Sequence, residues 1–358
     1  MALNPPPKNT YEENRSLYFC TFLNPDKNDH VFLLARSVTL LLGVGVGWLL
    51  FLATRSFGPL TALFALFLWA FDPTFLAWST LVKADVPAAF FTLASTLLFL
   101  KSRRSPHPGG YSFLTGILMG MTVMTKLSCI FLIPAFIAIE CFSQVPFSNL
   151  WRRWVFLLAG LLSLIYLLYA PGFFHDGPTW TPFHELIRLF PTPSYVDKEY
   201  FPIFFLGHIS KPIGVIYYAT VFFLKSTLPF LILFLFGSFL LIARKIRIES
   251  WVWILPLFLI LPLLIFSAGS LRYLLPAQVF LIMISALSAK WLWDLPKFKG
   301  VPIFRYAVLC LLLAQGLSVG ANFGMKAYPP LEGVFKYLIH NEISFSLRFR
   351  NDFEPRSL

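Results

Sequence analysis

The sequence predicts an all-α fold: a polytopic transmembrane helical bundle of about ten spans, with interfacial helices on one external face. Composition is the first reason. Of 358 residues, 57% are hydrophobic and only 13% charged, with 41 phenylalanines. A soluble domain is about one quarter charged, so this chain cannot cover itself with water-compatible surface. The second reason is the recurrence of runs without Asp, Glu, Lys or Arg: 37–54, 56–71, 86–100, 105–125, 154–175, 226–243, 250–271, 273–289 and 306–325. The third is that none of them alternates as a barrel strand does, and lipid-exposed backbone must be helical or a closed barrel.

In chain order the spans are 31–53, 58–71, 86–100, 111–124, 127–142, 154–170, 215–243, 251–267, 273–289 and 303–323. A crossing takes about 20 mostly apolar residues, and several of these are short. Gly43, Gly45 and Gly47 lie inside an apolar run, which makes them small-residue packing positions and not a nucleotide loop. In 215–243, Lys225 and Pro229 should end or kink a short helix before the main span. No 20–50-residue repeat and no inverted-repeat symmetry is visible.

The formal charge of +12, from 29 Lys and Arg against 17 Asp and Glu, would suggest nucleic acid in a soluble chain. Here the cations sit in short loops. One set of loops carries Arg55; Lys101, Arg103 and Arg104; Arg152 and Arg153; Arg244, Lys245 and Arg247; and Lys290, Lys297, Lys299 and Arg305. The positive-inside bias places that set in the cytoplasm, and no nucleic-acid partner is expected. The opposite set holds every acidic residue except Glu140, Glu249 and Asp294. The organisation expected is an external segment 1–30, helices over 31–170 with an external loop from Asp72 to Asp85, an aromatic external stretch 171–212 with interfacial helices, helices over 213–325, and an external tail 326–358. Because residues 1–30 are polar and Pro-rich, an external start implies either a missing first helix or hairpin insertion after synthesis.

Cys20, Cys129, Cys141 and Cys310 show no CxxC spacing and read as inert fillers, and the six histidines never fall as His-x-x-x-His, so no metal or other cofactor is expected. His175 with Asp176, or His184 with Glu185, could contact sugar hydroxyls, although interfacial histidines are usually just solvated. The segment most suited to chemistry is 71–91, FDPTFLAWSTLVKADVPAAFF, where Asp72, Lys83 and Asp85 gather at the external ends of two spans. Asp85, before Val86 and Pro87, is also a reasonable helix N-cap.

This segment resembles the matching loop of the GT-C glycosyltransferases of the protein O-mannosyltransferase and lipid A aminoarabinose transferase type, through Pro73, Leu76, Ala77, Ser79, Leu81, Asp85 and Pro87. The likeness continues in family order through NPDKNDHVFLLAR (24–36), GILMGMTVMTK (116–126), YYATVFFLKSTLP (217–229), RYLLP (272–276) and AYPP (327–330). The resemblance implies a GT-C helical bundle that moves a sugar from a polyprenyl-phosphate donor to a protein, lipid or glycan acceptor on the non-cytoplasmic face of the plasma (inner) membrane. Asp85 matches the family's second external-loop Asp and is the implied catalytic carboxylate. The family's principal carboxylate belongs to the first external loop, before a His-Pro-Pro-Leu-like stretch; this chain has Asn4, Pro5, Pro6 and Pro7 there and no acid before them, so the expected base would precede Met1 and transfer by this chain would be reduced.

A donor phosphate needs cations at the interface, and a polyprenyl tail needs a lipid-facing groove between helices. The candidates are Lys83, Lys126, Lys211, Lys225 and Arg272 with Tyr273, the last two giving a guanidinium fork and a phenol together. Each of these cations has a plainer role as a snorkelling lipid anchor. The competing function is a carrier or flippase for a lipid or sugar-lipid, which should place ionisable groups at mid-membrane.

Overall fold

A computed structural model describes residues 25–79, 81–142, 147–176, 203–205, 208–210, 214–243, 245–246, 249–266, 274–295 and 302–324. The helices are α1 (Pro25–Arg55), α2 (Pro59–Ala70), α3 (Pro73–Ser79), α4 (Asp85–Arg104), α5 (Pro108–Thr125), α6 (Leu132–Cys141) after a 3-10 turn (Leu127–Phe131), α7 (Phe147–Asp176), α8 (Gly214–Lys225), α9 (Leu228–Ile242), α10 (Trp251–Phe266), α11 (Leu275–Asp294) and α12 (Ile303–Gly324). Every apolar segment read from the sequence is mainly helical where it is described, because a chain with no water partner satisfies its own backbone. Among the described residues, three helices are long and apolar enough to cross a membrane alone: Leu33–Arg55, Leu150–Leu168 and Leu275–Asp294. The pair α2 and α3 is bent by 60° at residues 71–72. The expected break in 215–243 is present: α8 stops at Lys225 and α9 starts at Leu228 with Pro229 in its first turn, where the missing N–H costs nothing.

α11 is the axis of the bundle. Its residues from Leu275 to Ala289 are all buried, and it packs against α2, α4, α9, α10 and α12. The few polar side chains on it are bonded: Ser285 donates to its own helix at Leu281, and Ser288 Oγ donates to the Leu233 carbonyl of α9 at 2.7 Å. The outer helices show the complement, with Leu34, Leu41, Val44 and Trp48 on α1 and Leu167, Leu313 and Leu317 on α7 and α12 exposed. Apolar surface on that scale faces lipid, and the chain is an integral membrane protein.

Glycines set the closest helix contacts. A Cβ on Gly116 of α5 would fall on the Leu157 carbonyl of α7, and one on Gly160 would fall on the Phe113 carbonyl of α5. The glycines of α1 do what their setting predicts: Gly43 faces Ser79, Gly45 faces Phe90 and Gly47 faces Trp69. The stretch 171–212 departs from the expected interfacial helices where it is described. α7 runs on to Asp176, and Ile203–Phe205 (β1) pairs antiparallel with His208–Ser210 (β2), Phe204 opposite Ile209. Phe and Ile are strand formers, and at an interface their apolarity serves a hairpin as well as a helix.

The three acids that broke the charge partition are each paired with a cation of the same bundle end. Glu140 takes Arg153, with Arg103 Nε at 3.5 Å from its other oxygen; Arg104 meets Glu249 at 2.5 Å; Lys290 meets Asp294 one helical turn away. Asp85 opens α4 and Arg103 and Arg104 close it, so about 30 Å of helix separates two polar ends, the thickness of a hydrocarbon core.

Candidate functional site

The bend between α2 and α3 begins the site. Phe71 ends α2, and Pro73 starts α3 with its φ already helical. Asp72 caps the new helix, its Oδ1 accepting from the Phe75 N–H at 2.8 Å. Its other oxygen, Oδ2, accepts from Gln278 Nε2 on α11 at 2.6 Å, so a buried carboxylate has a donor on each side. The Phe71 carbonyl freed by the bend accepts from Gln315 Nε2 on α12 at 2.7 Å. The Gln315 carbonyl oxygen accepts in turn from the Thr227 hydroxyl at the start of α9. Three separate helices therefore hold one bend through side-chain amides and a hydroxyl.

A short exposed loop, Leu81 to Ala84, leads from α3 to α4, and the Lys83 ammonium lies over the Trp78 ring at 4.8 Å. Asp85 is the first residue of α4, and Ala84 holds the N-cap position, so Asp85 is not the cap that its setting allows. Its carboxylate is turned to Lys126, with Oδ1 and Nζ 2.6 Å apart and both side chains buried. Two antiparallel helices of 20 and 18 residues explain the meeting: α5 returns the chain to the level from which α4 started. A carboxylate in a first helical turn is also favoured by the helix dipole.

Of the residues singled out in the sequence, the structure brings Asp85 and Lys126 together and leaves Lys83 exposed two residues away. Lys126 is engaged with Asp85 instead of standing open as a phosphate cation. Lys225 is exposed at the end of α8, next to the Thr227 clamp. Lys211, Arg272 and Tyr273 lie outside the described residues. Sequence reasoning missed Gln278, Gln315 and Thr227. Their signal was a lone amide in each of two apolar runs, since a polar group in such a run needs a partner.

Residues 27–170 match the family described as dolichyl-phosphate-mannose-protein mannosyltransferase. In fold, the chain is similar to the oligosaccharyltransferase of Archaeoglobus fulgidus in its apo form, with a TM-score of 0.50 at 16% identity over 80% of this chain. The mannosyltransferase likeness in sequence thus covers residues 27–170, and over the rest of the chain the likeness is one of fold alone. The chain spans 44% of that oligosaccharyltransferase. ArnT from Cupriavidus metallidurans is similar in its apo state (TM-score 0.46, 17% identity, 83% of this chain and 51% of that one). The same enzyme bound to undecaprenyl phosphate gives 0.46 and 16%, over 80% of this chain and 57% of that one. No curated protein matches in sequence.

Proposed function

We propose that the chain transfers a sugar from a polyprenyl-phosphate donor to a protein, lipid or glycan acceptor, at the bundle end formed by residues 71–85, Lys126, Thr227 and Gln278, and that this end faces outward from the plasma membrane. One observation carries the reading. The clamped bend and the buried Asp85–Lys126 pair stand together under an exposed loop bearing Lys83, in the segment that matches the mannosyltransferase family. Leu81 and Val82 beside Lys83 are exposed and apolar, which suits a loop touching the membrane interface where a polyprenyl phosphate presents its charge.

Asp85 is the proposed catalytic carboxylate, held in orientation by Lys126 beside the acceptor, while cations stabilise the leaving phosphate. Lys83 and Lys225, both exposed, are proposed to meet that phosphate, with Lys211, Arg272 and Tyr273 completing the set. The carrier reading has less support: among the described residues, the buried ionisable groups Asp72, Asp85, Lys126, Glu140 and Arg153 lie at the two ends of the bundle and not at its middle.

The test is transfer from a radiolabelled polyprenyl-phosphate sugar by membranes carrying the chain. Asp85→Asn should lower donor-dependent transfer about a hundred to ten thousand fold while the protein still inserts. Transfer unchanged in that variant removes Asp85 from the chemistry, and no donor-dependent transfer by the parent chain removes the whole reading. Cysteine labelling of Ser105→Cys in intact cells checks the face: reagent confined to the outside should leave it untouched.

A further inference from the structure

α12 lies at the margin of the bundle, with Tyr306, Leu309, Leu313 and Leu317 exposed along its outer side, yet it carries the buried amide of Gln315. α12 and α2 both start beside the end of α11, where Gly58 lies against the Lys290 side chain and Arg305 Nε donates to the Trp293 carbonyl at 3.2 Å. Gln315 follows Ile303 by the same number of residues as Phe71 follows Pro59, so the two rise to the same level. There the amide is used at both of its ends. Nε2 donates to the Phe71 carbonyl at 2.7 Å, and Oε1 accepts from the Thr227 hydroxyl.

Thr227 shows that the second bond is more than incidental. It holds the N-cap position of α9, where a threonine ordinarily turns its oxygen to a backbone N–H of its own first turn. Thr227 makes no such cap, and its hydroxyl is turned to Gln315 instead. The side chain is therefore oriented by α12 and not by its own helix. Lys225 precedes it by two residues, exposed at the end of α8. The joint between them is tight: the Ser226 N–H closes α8 on the Phe222 carbonyl at 3.0 Å, and the Leu231 N–H opens α9 on the Thr227 carbonyl at 3.0 Å. A hold on Thr227 is thus a hold on the base of Lys225.

We propose that Gln315 is a positioning residue of the transfer site, fixing the joint between α8 and α9 against the bend so that Lys225 stands at a set distance from the segment 72–85. The inference rests on the transferase reading, in which Lys225 meets the donor phosphate. The whole chain, purified in detergent, is titrated with undecaprenyl phosphate and with undecaprenol, the same tail without the phosphate. Gln315→Leu removes both bonds, and Thr227→Val removes the hydroxyl alone at nearly constant volume, so either variant tests the link if the other fails to fold. Each should weaken undecaprenyl phosphate binding about tenfold and leave undecaprenol binding as it was. Thr227→Ser, which keeps the hydroxyl, should recover the affinity that Thr227→Val loses. In a Lys225→Gln chain, adding Gln315→Leu should cost no further affinity, because its effect passes through that ammonium, whereas a role in folding alone would add its full loss again. Parent-level binding of undecaprenyl phosphate by both Gln315→Leu and Thr227→Val, an equal loss for undecaprenol, or additive losses with Lys225→Gln would overturn the inference and leave the transferase reading standing. No binding of undecaprenyl phosphate by the parent chain would overturn the transferase reading, and this inference with it.

Discussion

Asp72→Ala is the sharpest perturbation of the bend. It removes two bonds at once: the cap to the Phe75 N–H and the acceptor of Gln278 Nε2. A lost N-cap costs about 0.5 to 2 kcal/mol. A buried hydrogen bond to a charged group is worth about 1.5 to 3 kcal/mol. Together they give about 2 to 5 kcal/mol of destabilisation. Asp72→Asn should cost far less, because its amide oxygen still caps α3 and its NH2 can donate to the Gln278 oxygen once that amide turns over. Gln278→Leu separates the two terms, removing only the bond from α11. In the double variant Asp72→Ala with Gln278→Leu, the loss should fall short of the sum by about the value of that one bond. Unfolding in mixed micelles, followed by tryptophan fluorescence and helical circular dichroism, gives the four free energies. An Asp72→Ala loss under about 0.5 kcal/mol, or strictly additive single losses, would show that the amides do not hold the bend.

Two further outcomes follow from buried contacts. Lys126→Met should destabilise the bundle by about 3 to 5 kcal/mol by stranding Asp85, and adding Asp85→Leu should recover most of that loss in the same unfolding assay. Gly116→Leu should prevent α5 from seating on the Leu157 carbonyl of α7, so the chain inserts but elutes as a broad, aggregated species in size-exclusion chromatography, whereas a substitution at Gly110, which has open space, elutes normally.

The helices were legible because their apolar runs are continuous and a membrane leaves the backbone few alternatives. The joint at Ser226 was legible from Lys225 and Pro229 alone. Asp85 stood out as a charge at a span end, but its partner did not: Lys126 read as one more interfacial cation. Only the near-equal lengths of α4 and α5 bring it level with Asp85. Glu140, Glu249 and Asp294 looked like exceptions to a charge rule because a rule counted along the chain does not see pairs that form across helices. Gln278 and Gln315 carried the weakest trace. An amide in an apolar run declares that it needs a partner and says nothing of where the partner is. The pairing of Ile203–Phe205 with His208–Ser210 was hidden by its own composition, since aromatic and branched side chains suit more than one backbone.

α4 is pinned at both ends. Asp85 is tied to Lys126 at one, and Arg103 and Arg104 are engaged with Glu140 and Glu249 at the other. A piston stroke of a single helical turn, about 5.4 Å, would break the pairs at both ends together. The helix is thus a strut of fixed register, and the segment that hangs from it without such ties at both ends is the exposed loop of Leu81 to Ala84. A displacement of that loop alone would leave the far end of α4, and the pairs that hold it, in place.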